Sequence, residues 1–276
     1  MPIGASDINY VYSGGPANIN PNLSLGGAPS VHTISGKNLF DNISDEQSVN
    51  GTTDYRCFYI NNDSFTETLY NSEIFVNYKL NNETIIELGF ESQNDRQYVN
   101  ITNFSNITGG SFILTYNDTL VHNFTVNYDA NVATFVSNFQ TAITAIAFLE
   151  DVTVNGSYNV ASDTLVFEIN FIGESGNRYH EAINLNSNNL TYSGNSPTIS
   201  IIKSVNGSPI NKEADSIDVE TTPPANITFS SNPYNLGSFR YLDVVPVWIK
   251  RIVPANTVAI QIDSFILRIR GDSVPS

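Results

Sequence analysis

Period-two alternation of apolar and polar residues dominates this chain, and its longest run lies near the end. From Val244 to Gly271 the sequence reads VVPVWIKRIVPANTVAIQIDSFILRIRG. In the first part Val247, Ile249 and Arg251 fall on one side, and Trp248, Lys250 and Ile252 on the other. In the second, Ile260, Ile262, Ser264, Ile266 and Ile269 carry the apolar signal. Alternation of β-branched and aromatic residues bounded by Pro and Asn predicts two long strands joined in a hairpin at Pro254-Ala255-Asn256. Trp248, the single Trp of the chain, is expected to anchor a sheet-on-sheet core. A lone hairpin is marginal in water. It needs partner strands, and the best candidates lie far upstream, between Tyr55 and Val76.

The rest of the chain divides by style. Asn38 to Asp45 predicts a turn or a single helical turn, and Glu46 to Thr53 a loop. Asp54 to Ile60 alternates, with Tyr55, Cys57 and Tyr59 on one side and Arg56, Phe58 and Ile60 on the other. Leu69–Leu80 and Thr84–Phe90 follow as strands at the spacing of an all-β domain. Ser111–Tyr116 and Val121–Tyr128 then predict a hairpin turning at Asn117-Asp118. The one strong helical pattern spans Asn131 to Leu149, with Val132, Phe135, Val136, Phe139, Ile143, Ile146 and Leu149 at spacings of three and four. Asp129 is the expected N-cap. Val152–Val154, Thr164–Phe171 and Thr198–Val205 supply further strands, and an acidic linker, Asn211 to Glu220, leads back to Ile227–Phe229 and Phe239–Leu242.

These elements predict a mainly β protein: a jelly-roll-like β-sandwich interrupted by an inserted α+β module with one helix. Residues 98–211 form the module, and residues 38–97 with 212–276 the split sandwich. Residues 1–37 are rich in Gly, Pro, Asn and Ser yet hold Ile8, Tyr10, Tyr12, Leu23 and Leu25. That combination predicts an extended N-terminal arm that lies on another surface, its apolar residues ordering against its own domain or a neighbour.

Charge narrows the partners. Only 14% of the 276 residues are charged, the net charge is -15, and Asn fills about one position in eight. Such a chain repels phosphate backbones and anionic lipid, so neither nucleic acid nor membrane is an expected partner. No apolar run reaches spanning length, and MPIGASDINY lacks the basic-then-apolar order of a signal peptide. The single cysteine, Cys57, reads as a small core residue. His32, His122 and His180 are far apart in no metal-ligand spacing, and no nucleophile elbow, Walker loop or dinucleotide fingerprint occurs. The acidic groups Asp45-Glu46, Glu150-Asp151 and Glu213/Asp215/Asp218 read as solvated surface. The expectation is therefore a protein that is not an enzyme, with no catalytic residue, metal or cofactor. Against this acidic background, Lys250, Arg251, Arg268 and Arg270 make up 4 of the 12 Lys and Arg residues, and they read as a candidate surface for an acidic neighbour.

Three segments carry a resemblance: SDINYVYSGGPANINPNLSLGGAPS, NLFDNISDEQSVNGTTDYRCFYINN and VWIKRIVPANTVAIQIDSFILRIRGD. Together they resemble a family of tailed-bacteriophage virion structural proteins, over roughly the first 90 and last 50 residues. Within the middle, Gly109 to Tyr116 and Tyr128-Asp129-Ala130 resemble a module recurring in phage surface proteins. The resemblance implies a virion component assembled in the bacterial host cytoplasm, most simply a capsid decoration or cement protein. Its partners would be other virion proteins, chiefly the major capsid protein, and further copies of itself. A tail, neck or baseplate protein, or a glycan-binding adhesin reading sugars through the module, are the alternatives. The candidate partner-binding residues are Ile8, Tyr10, Tyr12, Leu23, Leu25, Lys250, Arg251, Arg268 and Arg270.

Overall fold

A computed structural model describes residues 7–34, 39–65, 67–79, 83–118, 120–257 and 265–272. In chain order the elements begin with β1 (Ile8–Ser13), β2 (Pro29–Thr33), α1 (Asp45–Asn50), β3 (Thr52–Asn62), β4 (Leu69–Lys79) and β5 (Ile85–Phe90). Next come β6 (Arg96–Thr102), β7 (Ile107–Asn117), β8 (Val121–Asn127), α2 (Val132–Thr144), β9 (Val152–Asn159), β10 (Thr164–Phe171), β11 (Asn184–Tyr192) and β12 (Ile199–Val205). The chain closes with β13 (Thr228–Ser230), β14 (Tyr234–Phe239), β15 (Val244–Val253) and β16 (Phe265–Asp272). Strands predominate, and α2 is the one main helix. The chain forms two compact units: Met1–Ser92 with Pro209–Ser276, and Gln93–Ser208.

The split unit is a sandwich of a six-stranded antiparallel sheet, ordered β13-β5-β15-β3-β1-β2, and a three-stranded sheet, ordered β14-β4-β16. Phe58, Ile60, Leu88, Val245, Val247 and Ile249 from the large sheet meet Leu69, Ile74, Leu236 and Phe239 from the small one in one core. Burying such a side chain contributes about 1.5–3 kcal/mol of transfer free energy. The large sheet is covered on both faces. Tyr55, Cys57, Tyr59 and Trp248 form a second apolar cluster on its other side, under Ala214, Ile217, Ile227 and Phe229. A central strand buried on both faces has no polar side to show, which explains the near-continuous burial of β3 from Asp54 to Ile60.

Several expectations are corrected here. The terminal segment is not a hairpin: β15 pairs with β3 on one edge and β5 on the other, while β16 pairs with β4 in the small sheet. With both edges of β15 occupied, no ladder remains for β16. Asn256 and Thr257 instead donate backbone hydrogen bonds to Val49 and Ser48, which leads the chain away. Ile260, Ile262 and Ser264 lie outside the described residues. Trp248 is buried, but in the outer cluster and not between the sheets. The acidic "linker" is the cover over that cluster. Ala214 bridges Gly27, and the Ile217 and Tyr55 N–H groups bond the carbonyls of Leu25 and Glu220. The strap lies so close that a Cβ on Gly26, whose φ is 93°, would stand 2.2 Å from the Asp215 carbonyl oxygen.

The N-terminal segment orders against its own domain, but as strands of the large sheet and not as an arm laid on a surface. β1 pairs with β3 from Ile8↔Asn62 to Tyr12↔Phe58, and β2 completes the sheet beside it. Its apolar residues serve the sheet because β3 needs a neighbour on the edge that β15 does not take. Lastly, Glu46 to Asn50 is helix, not loop. Ser44 and Gln47 close a capping box around α1, a Ser-x-x-Gln spacing that was legible in the sequence.

The continuous unit packs the sheets β12-β6-β10-β9 and β11-β7-β8 around one aromatic core. Phe112, Phe135, Phe139 and Phe167 are each fully buried and meet largely edge-to-face. Helix α2 lies against β8 and β9. At Gly156 an added Cβ would come within 2.2 Å of Val136 Cγ2, so glycine sets the helix-to-strand approach. The helix is shorter than expected and is capped by Asn131, whose Oδ1 accepts the Ala133 and Thr134 N–H groups. Asp129 acts one step earlier, accepting the Asn131 N–H at 2.7 Å. Ile146 and Leu149 remain core residues in the turns that follow.

Candidate partner-binding surfaces

Sheet formation consumes most of the N-terminal candidates. Ile8 and Tyr12 are buried in β1, and Tyr10 stands 6.1 Å from Phe58, ring to ring. Leu25 is half-buried, and its carbonyl holds the strap. Leu23 alone of the five faces outward, 59% exposed at the end of a 3-10 turn that Asn20 caps.

The basic candidates separate in the same way. Arg251 is buried and donates Nη2 and Nε to Asp54 Oδ2 at 2.6 and 3.1 Å, and Nη1 to the Asp41 carbonyl at 2.8 Å. Its guanidinium lies 4.6 Å from the Phe40 ring centre. Arg56, also buried, pairs with Glu220 of the strap and lies 5.7 Å from the same ring. A buried guanidinium persists only when paired and hydrogen-bonded. This cluster therefore clasps residues 39–41 and the strap to β3 and β15. Lys250 reaches Glu87 Oε2 of β5 at 2.9 Å. Neither Lys250 nor Arg251 is offered freely to a neighbour.

Arg268 and Arg270 are different. In β16, Phe265, Leu267 and Ile269 pack on the sandwich core, so alternation turns Ile266, Arg268 and Arg270 outward. Register places Arg268 beside Phe75 and Arg270 beside Glu73 of β4. Arg270 Nε donates to Glu73 Oε2 at 2.8 Å, and its guanidinium covers Phe75 at 5.0 Å. Among the described residues, Arg268 has no ion-pair partner. The outer face of the small sheet thus presents Ile266, Arg268 and Arg270 from its edge strand β16 beside half-buried Phe75 of the central strand β4.

The continuous unit carries a second open face. Across β12, β6, β10 and β9, one outward row runs Ile202, Tyr98, Glu168 and Asn155. Tyr98 Oη donates to Glu168 Oε2 at 3.3 Å, Asn170 Nδ2 to Glu168 Oε1 at 2.8 Å, and Arg96 Nε to Asn170 Oδ1 at 3.0 Å.

The three histidines are not brought together. His32 is exposed, and His122 stands 3.1 Å from Asp118 Oδ1 beside its own hairpin turn. His180 is buried: Nε2 donates to the Ser175 carbonyl at 2.7 Å, and Nδ1 meets Tyr116 Oη at 2.7 Å. Its backbone N–H and that of Gly207 reach Asp95 Oδ2, which also takes Lys203 Nζ at 3.1 Å. This network ties the first strand of the unit to its last, and no sequence spacing announced it. Among the described residues, no group of three or more His, Cys, Asp or Glu side chains could hold a metal ion. Burial raises the Tyr59 phenol and the Cys57 thiol well above their ordinary ranges. Ser105, through its N–H and hydroxyl, and Tyr158 hold the Asp163 carboxyl below its own.

No protein-family model and no curated protein matches the chain. Among solved structures, the D1-D2-D3 domains of the flagellar cap protein FliD from Escherichia coli share 12% identity with it at a TM-score of 0.22. The match covers 63% of this chain and 64% of that one, so the chain spans less than two thirds of it.

Proposed function

We propose that this chain is a non-enzymatic structural protein of a tailed-bacteriophage virion, most simply a decoration protein on the outer shell. In this reading it is assembled in the host cytoplasm and contacts the major capsid protein and further copies of itself. The observation that carries the reading is where the resembling segments lie. They sit at opposite ends of the sequence, yet they supply β1, β3, β15 and β16 of one sandwich. A resemblance that rejoins within one folded unit supports a shared structural domain better than two separate matches would. Leu23 and the arginine face of β16 are the outward candidate residues for its contacts. The test is to purify particles and measure this chain against the major capsid protein by quantitative mass spectrometry. Copy numbers on the scale of the shell lattice are expected. A ring-sized copy number would move the protein to tail, neck or baseplate, and absence from particles would overturn the reading.

A second reading, a glycan-binding adhesin, draws on the outward face around Tyr98. A half-exposed aromatic ring beside hydrogen-bonded Glu168, Asn170 and Arg96 offers a sugar both a stacking surface and planar polar partners. Glycan-array binding lost in Tyr98→Ala would favour it.

A further inference from the structure

A sheet edge with unpaired N–H and C=O groups is a template for another strand, and folded proteins cover or blunt most of theirs. The continuous unit has four such edges: β9 and β12 in one sheet, β8 and β11 in the other. Helix α2 covers two of them. Its Gln140 takes the place of a neighbouring strand at β9, where Nε2 donates to the Val152 carbonyl and Oε1 accepts the Val154 N–H at 2.6 Å. Its Asn138 Nδ2 donates to the Asn127 carbonyl of β8 at 3.0 Å. The ladder of β11 is interrupted by two register shifts, and its own Asn188 Oδ1 takes the Leu190 N–H.

Strand β12 has no such cover. The Thr102 N–H of β6 donates to the Thr198 carbonyl at 3.0 Å. Alternate residues of an antiparallel strand turn their backbone groups to opposite edges. Ser200 and Ile202 therefore face β6, and Ile199 and Ile201 turn their N–H and C=O groups away from it. Among the described residues, no other element bonds those outward groups. The side chains fit an unfinished edge. Ile199 and Ile201 are only partly buried against the core, and Ser200 and Ile202 stand on the exposed face, Ile202 at 52% exposure. Ile199–Val205 contains no carboxylate, and its one charge, Lys203, is already held by buried Asp95. In a chain of net charge -15, β12 thus sets no carboxylate of its own against an approaching copy.

We infer that β12 is a pairing edge for a second copy of this chain, the two β12 strands running antiparallel about a two-fold axis at Ile201. In that register the outward backbone groups of Ile201 bond those of Ile201 in the second copy, and Ile199 meets Lys203 across the axis. Ser200 lies directly opposite Ile202 of the second copy, and the half-buried Ile199 and Ile201 gain cover from the same residues across the axis. A strand laid antiparallel to its own copy is self-complementary. Each chain has one β12, so the contact is isologous and closes at two copies. The four-stranded sheets of the two chains then run on as one.

The inference does not rest on the virion reading, and the two can fail separately: it concerns the purified full chain, whereas that reading is decided by copy number in particles. The experiment is sedimentation velocity across a concentration series. The wild-type chain should pass from monomer to a single dimer with no larger species. Ser200→Glu with Ile202→Glu sets like charges opposite each other on both sides of the axis and should weaken the dimer about tenfold or more. Ser200→Lys with Ile202→Glu sets opposite charges across the same positions and should retain it. Both positions are exposed, so melting temperatures check that folding is intact. Ile201→Pro removes an outward N–H while sparing the ladder to β6, and it should also weaken the dimer. A wild-type chain that stays monomeric at its highest soluble concentration overturns the inference, and so does one that forms open-ended assemblies. A Ser200→Glu, Ile202→Glu variant that dimerises like wild type overturns it as well, as does loss of the dimer in the Ser200→Lys, Ile202→Glu variant.

Discussion

The two units use opposite means to bury a β-sheet. The continuous unit draws its sheets from one unbroken segment and fills its interior with phenylalanine, with α2 laid across β8 and β9. The split unit assembles its large sheet from both ends of the chain, with β15 between β3 and β5. It has two clusters in place of one, and at its margin it buries Arg56, Asp54 and Arg251. The difference teaches that a sheet covered on both faces needs a cover for each. In the continuous unit alternation leaves one face in and one face out. In the split unit a second layer is recruited from the strap, and polar groups at the layer's ends must be paired rather than solvated.

The strongest way to break this contrast is to remove the N-terminal strands. Deleting Met1 to Ile34 strips β1 and β2 from β3, leaving the backbone groups of a central strand unpaired. The split unit should lose its cooperative melting transition while that of the continuous unit persists. Calorimetry that still shows both transitions would restore the segment to the status of a dispensable arm.

A smaller effect should come from single core anchors. Phe139→Ala and Trp248→Ala each empty a fully enclosed aromatic site and should cost about 3–5 kcal/mol. Each is expected to lower one transition only, Phe139→Ala that of the continuous unit and Trp248→Ala that of the split unit. Equal loss in both transitions from either variant would mean that the units fold as one.

The mildest effect is alkaline. Burial raises the phenol of Tyr59 and the thiol of Cys57 above their ordinary values of 10.0 and 9.0, and Tyr10 and Tyr234 shift the same way. Groups whose folded-state values are raised contribute stability that is complete below the ordinary value and is lost as pH climbs above it. Among the described residues, the continuous unit has two shifted phenols, Tyr128, raised by burial, and Tyr158, raised first by its hydrogen bond to Asp163, against three phenols and a thiol in the split unit. From about pH 9 upward the split unit should therefore destabilise more steeply than the continuous one. Tyr59→Phe should flatten that slope. It should also cost about 1–3 kcal/mol at neutral pH, because the Ala214 N–H and the Gly27 carbonyl lose their partner. Parallel pH slopes for the two transitions would count against this assignment.

Local sequence determined a good part of this protein. The alternation in β3 and β15 was legible because side chains on a strand point alternately up and down whatever lies beside them. The stripe Phe135, Phe139 and Ile143 marked α2, since a stripe is settled within a few residues; the equally local capping box of Ser44 and Gln47 was there to be read, but α1 falls where a loop is expected over Glu46 to Thr53 and was missed. The mainly β class and a helix-bearing segment between strands of another style followed from these patterns. Other strands were faint: β11, NLNSNNLTY, exposes most of its polar side chains and buries little beyond Leu190, so its ladder to β7 holds it more than its propensity does.

Pairing and burial were left to the tertiary structure. Whether β16 returns beside β15 depends on which edges of β15 are already taken, and they are taken by β3 and β5, well over a hundred positions upstream. Whether an arginine is a docking group or a buried clasp depends on its face and its neighbours: Arg251 turns toward Asp54 and Phe40, and Arg268 turns outward. An acidic run reads as solvated linker until Ala214 and Ile217 are seen to close over Trp248. Alternation specifies two faces of a strand, but only the packed sheet decides what covers each one.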